Sequence, residues 1–247
     1  MVGFYGKLPD LGGVVTRRLP KEFIQPWDLW LRESLASGQL QLGDDWLDVY
    51  LTSPSWRFAL TSGLAGQSAW AGVMMPSVDR VGHYFPLTLA CPLSPDRNLM
   101  AVLGESYWFE RAELLLLSTL EDEWTFDAFD LQVQSLGEPP SSPSVPEPSQ
   151  PEGLVRPNAW RLCADTPAEM RAACAPLLRR ALDQMFFGYS FWWSQGSERV
   201  SPSLLLCQGL PPAEGFSALI GGNWSGHGWW EFPPAREDPS CSSEEPR

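Results

Sequence analysis

The densest run of polar side chains inside an apolar neighbourhood is Pro76-Ser77-Val78-Asp79-Arg80-Val81-Gly82-His83-Tyr84-Phe85-Pro86. A carboxylate, a guanidinium and an imidazole this close together could form a hydrolase site, with Asp79 orienting His83 and Ser77 as nucleophile. The same residues also suit a connection between two strands. In that reading Asp79 pairs with Arg80 or caps the turn, Gly82 takes a positive φ, and His83 is a hydrogen-bonded structural residue. The structural reading is favoured, because clustered ionisable groups often serve structural pairs. As a recognition loop the segment is more convincing than as a catalytic one.

Histidine is too scarce for most other chemistry, since His83 and His227 are the only two. The zinc-protease HExxH, the nucleophile elbow GxSxG, the P-loop and the dinucleotide GxGxxG are all absent, so those reactions lack their starting residues. No catalytic group, metal site or cofactor is expected. Asp44-Asp45 could be read as an acid/base pair, but neighbours on a helix do not face one another. Carboxylates in a first turn are favoured by the helix dipole, so both are expected as caps. Glu121-Asp122-Glu123 reads as a solvated turn. Thirteen Trp are the unusual feature of the composition. In a strand, Trp192 and Trp193 send one ring to each face, one into the core and one under a helix or toward a partner. Trp224, Trp229 and Trp230 sit among glycines, where they could anchor an interface, stack on a sugar, or close one end of the core. A carbohydrate-binding module and a hydrolase using Asp79 and His83 are therefore the alternatives to a protein-binding role.

The elements that must position these residues are legible in the apolar spacing. A first strand is expected at residues 2–5. A helix follows with Phe23, Trp27, Trp30 or Leu31, and Leu35 on one face, its main part opening at Pro26 and Gly38 just past its end. A short helix carries Trp46, Leu47, Tyr50 and Leu51 and stops near Ser53, because Pro54 restricts the residue before it. In SWRFAL, Trp56, Phe58 and Leu60 alternate with Arg57 and Ala59, the pattern of a half-buried strand. AWAGVMM and PLTLACPL read as further strands joined by PSVDRVGHYF, residues 76–85. A mostly buried helix at 105–120 and another at 125–136 come next.

Residues 137–153, GEPPSSPSVPEPSQPEG, hold too little apolar area to offset their ordering entropy, so a flexible Pro-rich loop is expected there. Beyond it, AWRLC is a strand candidate, and Thr166-Pro167-Ala168-Glu169 opens an amphipathic helix kinked at Pro176 that extends to Met185. YSFWWS and SLLLC are two more strands flanking a polar turn at 195–201, and 213–220 is a short helix ended by Gly221-Gly222. Residues 233–247 read as a disordered tail. With several strands in succession, the expected fold is α+β: a mostly antiparallel sheet with helices packed on it. One integrated domain, made of residues 1–136 and 154–232, accommodates the Pro-rich insertion.

Of the 247 residues, 17 are Lys or Arg and 30 are Asp or Glu, giving a formal net charge of −13. A nucleic-acid binder needs a concentrated basic face, and none is visible. No signal peptide opens the chain and no apolar run approaches the ~20 residues that cross a bilayer, so a cytoplasmic protein without membrane insertion is expected. Cys91, Cys163, Cys174, Cys207 and Cys241 are scattered singly. The first four read as buried free thiols and Cys241 as exposed.

Assembled, the strings GFYGKLPDLGG, RRLPKEFIQPWDLWL, LGDDWLDVYLTSPSWRFAL, GVMMPSVDRVGHYFPLTLACPL and YSFWWSQGSERVSPSLLLCQGLPPAEGFSALI resemble the TagF proteins associated with bacterial type VI secretion. Gly12-Gly13-Val14 stands where that family usually has Gly-Asp-Phe, and Ala65 where a Cys is common. The resemblance implies a cytoplasmic, non-enzymatic, post-translational repressor of type VI secretion that binds a forkhead-associated-domain protein of the apparatus and needs no cofactor. The first candidates for partner contact are Ser77, Asp79, Arg80, His83, Tyr84 and Phe85 in one loop, and Trp192, Ser194 and Ser197 at the other strand-and-turn.

Overall fold

The computed structural model describes residues 1–94, 99–140, 174–225 and 228–231. The expected AWRLC strand, the Thr166 capping box, nearly all of the Pro-rich segment, the tail, His227, Cys163 and Cys241 lie outside the described residues. The chain forms β1 (Gly3–Gly6), β2 (Val15–Arg17), α1 (Lys21–Leu42), α2 (Trp46–Leu51), β3 (Trp56–Leu60), β4 (Ala69–Met75) and β5 (Leu87–Leu93). Then come α3 (Leu99–Val102), α4 (Ser106–Leu117), α5 (Phe126–Ser135), α6 (Cys174–Met185), β6 (Tyr189–Ser194), β7 (Ser203–Gln208) and α7 (Phe216–Gly221).

The strands form one seven-stranded sheet in the order β2-β1-β5-β4-β3-β6-β7, and every pairing in it is antiparallel. The expected α+β architecture is present. Sheet alternation divides the core in two. Tyr5, Trp56, Phe58, Trp70, Met74 and Trp192 point to one face, where Phe23, Trp27, Trp30 and Leu31 of α1 meet them together with side chains of α2 and α7. Phe4, Ala59, Val73, Leu89 and Phe191 point to the other, under Trp108, Phe109 and Leu116 of α4, Phe129 of α5 and Leu182 of α6. β3 pairs with β6, Arg57 opposite Trp193 and Leu60 opposite Ser190, so strands from both sides of residues 141–173 share the sheet.

Three local expectations change. First, α1 opens at Lys21 rather than Pro26. Pro26 removes one helical hydrogen bond, but the earlier turn brings Phe23 into the core, stacked on Trp27 at 5.3 Å. Second, Gly38 lies inside α1 and not beyond it. A Cβ there would sit 2.5 Å from a ring carbon of Trp46, so the glycine is a notch that admits the indole; the helix stops at Gly43, with φ 55°. Third, β3 is buried along its whole length, because helices cover both faces. Arg57, spaced as a solvent-side residue, is buried and bound to Glu113 of α4.

Asp44 and Asp45 lie in a 3-10 turn before α2 and make no side-chain cap, leaving only the favourable dipole interaction of a first turn. Cys91 and Cys207 are buried and Cys174 is exposed, contrary to the expectation for Cys174. Burial pushes the Cys207 thiol up to about 12, as suits an inert core residue. No helix among the described residues is long and apolar enough to cross a membrane.

Candidate functional site

Strand register gathers both candidate loops at one end of the sheet. Met75 pairs with Leu87, closing β4 onto β5 around residues 76–86. Trp56 opposite Met74 and Arg57 opposite Trp193 then bring the end of β6, and the turn after it, to the same end. α2 ties the two together. Its Tyr50 hydroxyl donates to the Ser77 carbonyl at 3.1 Å and accepts from the Ser77 N–H at 3.0 Å, while its Asp48 pairs with Arg199 of the second turn.

The loop between β4 and β5 is a pinned hairpin. The Asp79 N–H donates to His83 O at 2.9 Å and the Phe85 N–H to Ser77 O at 3.0 Å, and Gly82 takes the expected positive φ, 86°. Asp79 is the hub, though its partner is not Arg80. Its carboxylate accepts from the Val81 and His83 N–H groups at 3.1 and 2.9 Å and forms an ion pair with Lys7, from the turn after β1. The Lys7 ammonium, the loop's own N–H groups next, holds the Asp79 carboxyl well below the usual carboxylate range despite its burial. Ser77 donates its hydroxyl to Lys7 O at 2.8 Å, and His83 Nδ1 lies 3.3 Å from Asp79. The hydroxyl weighed as nucleophile is thus engaged with a backbone carbonyl, and the carboxylate with three donors, Lys7 and the Val81 and His83 N–H groups.

What the hairpin offers solvent is its tip. Arg80, Val81 and His83 are exposed, Val81 to 74%. Beneath them, Tyr84 packs edge-on to Trp46 at 5.6 Å and against Tyr50 at 5.6 Å. Phe85 is buried, 5.9 Å from the Tyr5 ring. A tip held this firmly loses little entropy on binding.

Because a lowered pKa adds stability above the unfolded value and loses it only as pH falls through the folded one, the Lys7–Asp79 tie outlasts the ordinary carboxylate range of about 4. Amide exchange tests it. Protection of the Val81 and His83 N–H groups is expected to persist at pH 4, and Asp79→Ala to speed their exchange at least ~10-fold, since both lose their acceptor. Unchanged exchange in the variant contradicts the hub.

The second candidate group is mostly interior. Trp192 is fully buried, stacked on Trp27 at 5.7 Å with an interplanar angle of 5°, so it presents no surface to a partner. Trp193 goes under α4, 4.7 Å from Phe109. Ser194 is buried and accepts from the Gly196 N–H at 3.0 Å, while Ser197 is exposed and accepts weakly from Arg199 and Val200 at 3.4 Å. Of the nine residues, then, Arg80, His83 and Ser197 are at the surface, and Ser77, Asp79, Tyr84 and Phe85 hold the first loop in shape. Lys7, Trp46, Tyr50, Asp48 and Arg199 belong to the same end and carry no local signal, because each acts on a residue distant in sequence. Trp224 and Trp229 close one end of the core. Trp230 alone among the described tryptophans is exposed, at 91%, so no second described tryptophan joins it in a platform for a sugar. Nor does any group of three His, Cys, Asp or Glu side chains among the described residues converge as a metal site.

Residues 3–136, which include β1 to β5, the pinned hairpin and α2, match the TagF N-terminal domain, type VI secretion system-associated. The chain belongs to the TagF family. Its TagF fold is also similar to the crystal structure of PA0076 from Pseudomonas aeruginosa PAO1, at 44% sequence identity and a TM-score of 0.78, covering 97% of this chain and 100% of that one. No curated protein matches this TagF chain. The family match ends at Leu136, so β6 and β7 reach the TagF domain from beyond the matched residues.

Proposed function

We propose that the chain is a cytoplasmic, non-enzymatic, post-translational repressor of type VI secretion, acting without a cofactor by binding a forkhead-associated-domain protein of the apparatus. Membership of the TagF family carries the reading. The site's geometry supports it: a firm hairpin exposes Arg80, Val81 and His83, while the Ser77 hydroxyl and the Asp79 carboxylate are engaged in holding the loop. Arg80 is an exposed cation at the tip of a chain with net charge −13, which favours an acidic partner surface and orients the encounter. In the same reading, residues 1–136 and 154–232 act as one unit, supported by the β3–β6 pairing, with 137–153 as an insertion and 233–247 as a tail.

Pull-down of the forkhead-associated protein at micromolar concentration tests both levels. Capture by the wild type and at least ~10-fold weaker capture by Arg80→Glu, with unchanged circular dichroism, is the expected result. Reproducible absence of the wild-type complex sinks the function. Wild-type capture that is indifferent to Arg80→Glu and His83→Ala removes this end of the sheet as the contact.

A further inference from the structure

Helix α4 is apolar on two sides. Trp108, Phe109, Ala112 and Leu116 are buried against the sheet. Away from it, Tyr107, Leu114, Leu117 and, in the following 3-10 turn, Leu120 are 68%, 66%, 47% and 58% exposed. Tyr107 and Leu114 are seven positions apart and lie on one line along the helix, with Leu117 beside them one turn further on. A surface helix with one buried face keeps its outer side polar. A row of four large apolar groups there marks an interaction surface.

The ends of the row differ in charge. Arg111, exposed, lies over the Tyr107 ring at 5.8 Å, whereas Glu121, Asp122 and Glu123, all exposed, follow Leu120. We propose that this stripe pairs two copies of the chain, antiparallel, about a two-fold axis near Leu114. A stripe with a cation at one end and carboxylates at the other complements itself only when the second copy runs the opposite way. Tyr107 and Arg111 of each copy then meet the carboxylates of the other, and the contact occurs twice. In this register Leu114 meets its own equivalent, Leu117 flanks it, and the exposed Glu110 faces Ser118. A parallel pair would set carboxylate against carboxylate. Four apolar side chains with charged ends sit at the small end of interface sizes, and the net charge of −13 per copy opposes association. The dimer is therefore weak, with a Kd on the order of 10 µM.

Sedimentation velocity of the full chain from about 1 to about 200 µM reads this directly. The weight-average mass of the wild type is expected to rise from one chain toward two. Leu114→Asp, at an exposed position, stays monomeric throughout with unchanged circular dichroism. Arg111→Glu weakens pairing at least ~10-fold, as does Glu121→Arg combined with Glu123→Arg. Mixing these two charge-reversed chains restores a mixed dimer, because both end contacts become opposite-charge again. A wild type that remains monomeric over the whole range, as when residues 141–173 or a different protein occupy the stripe, overturns the proposal. A dimer indifferent to Leu114→Asp overturns it equally.

Discussion

Glu113→Leu is expected to cost the fold about 3–5 kcal/mol, because it strands a buried guanidinium. Arg57 lies on the interior strand β3, between β4 and β6, with its side chain 4% exposed, donating from Nε to Glu113 Oε1 at 2.9 Å and from Nη2 to Oε2 at 2.6 Å. Ser55 adds a hydroxyl donor to Oε1 at 3.0 Å, and the Phe109 ring sits 5.9 Å below the guanidinium. Fork-to-fork geometry of this kind fastens α4 to the sheet in a fixed orientation. Among the described residues Glu113 is the one carboxylate paired with Arg57, and the guanidinium is buried beneath α4 and its Phe109 ring. The double variant Arg57→Met/Glu113→Leu removes the stranded charge as well, and is expected to recover most of the loss, since a well-packed apolar pair can equal a buried ion pair. Urea denaturation distinguishes the outcomes: a lower midpoint with unchanged slope for the single variant, and a midpoint near that of wild type for the double. A double variant as unstable as the single one contradicts the account and points to lost packing instead.

Arg57 also shows where reading the sequence succeeds and where it stops. Period-2 alternation located β3 and its direction of burial for Trp56, Phe58 and Leu60, because that pattern follows from strand geometry alone. Whether the other face is wet depends on α4, which arrives 56 positions later in the chain, so alternation could not reveal it. Local chemistry was equally reliable for the hairpin tip, where Gly82 has the positive φ expected of it. The hub of the same loop is only half legible: Asp79 has the chemistry of a turn-former, but its ion-pair partner Lys7 is 72 positions away. At Gly38 the sequence is ambiguous, because a glycine marks a helix end and a ring-sized notch with the same letter. The neighbour that decides between them is Trp46, on the next helix. For α4 the apolar content suggested burial on most sides, whereas the exposed row from Tyr107 to Leu120 shows that hydrophobicity fixed the helix and not what covers it.

Trp192→Ala should lower stability by about 3–5 kcal/mol, the range for removing a large aromatic from a core, and should leave partner capture intact wherever the variant remains folded. The indole fills the centre of one core face, with Trp27, Phe58 and Trp30 centroids at 5.7, 5.2 and 5.2 Å. Its Nε1–H donates to the Ser190 hydroxyl at 2.9 Å, which in turn donates to Gly209 O at 2.6 Å. Truncation opens a cavity, removes aromatic contacts worth about 0.5–1.5 kcal/mol each, and strips the Ser190 oxygen of its donor. For a chain of this size the loss corresponds to a fall in Tm of roughly 6–20 °C. Trp192→Phe keeps most of the stacking and is expected to lose less than half as much. Scanning calorimetry measures the stability, and pull-down well below the lowered Tm measures the binding. Full capture there, alongside the reduced capture by Arg80→Glu, separates the residue that builds the platform from the residue that meets the partner. Capture lost by Trp192→Ala at a temperature where circular dichroism still reports the native fold would place the partner's contact on the β6 side of the sheet end and displace the hairpin tip from that role.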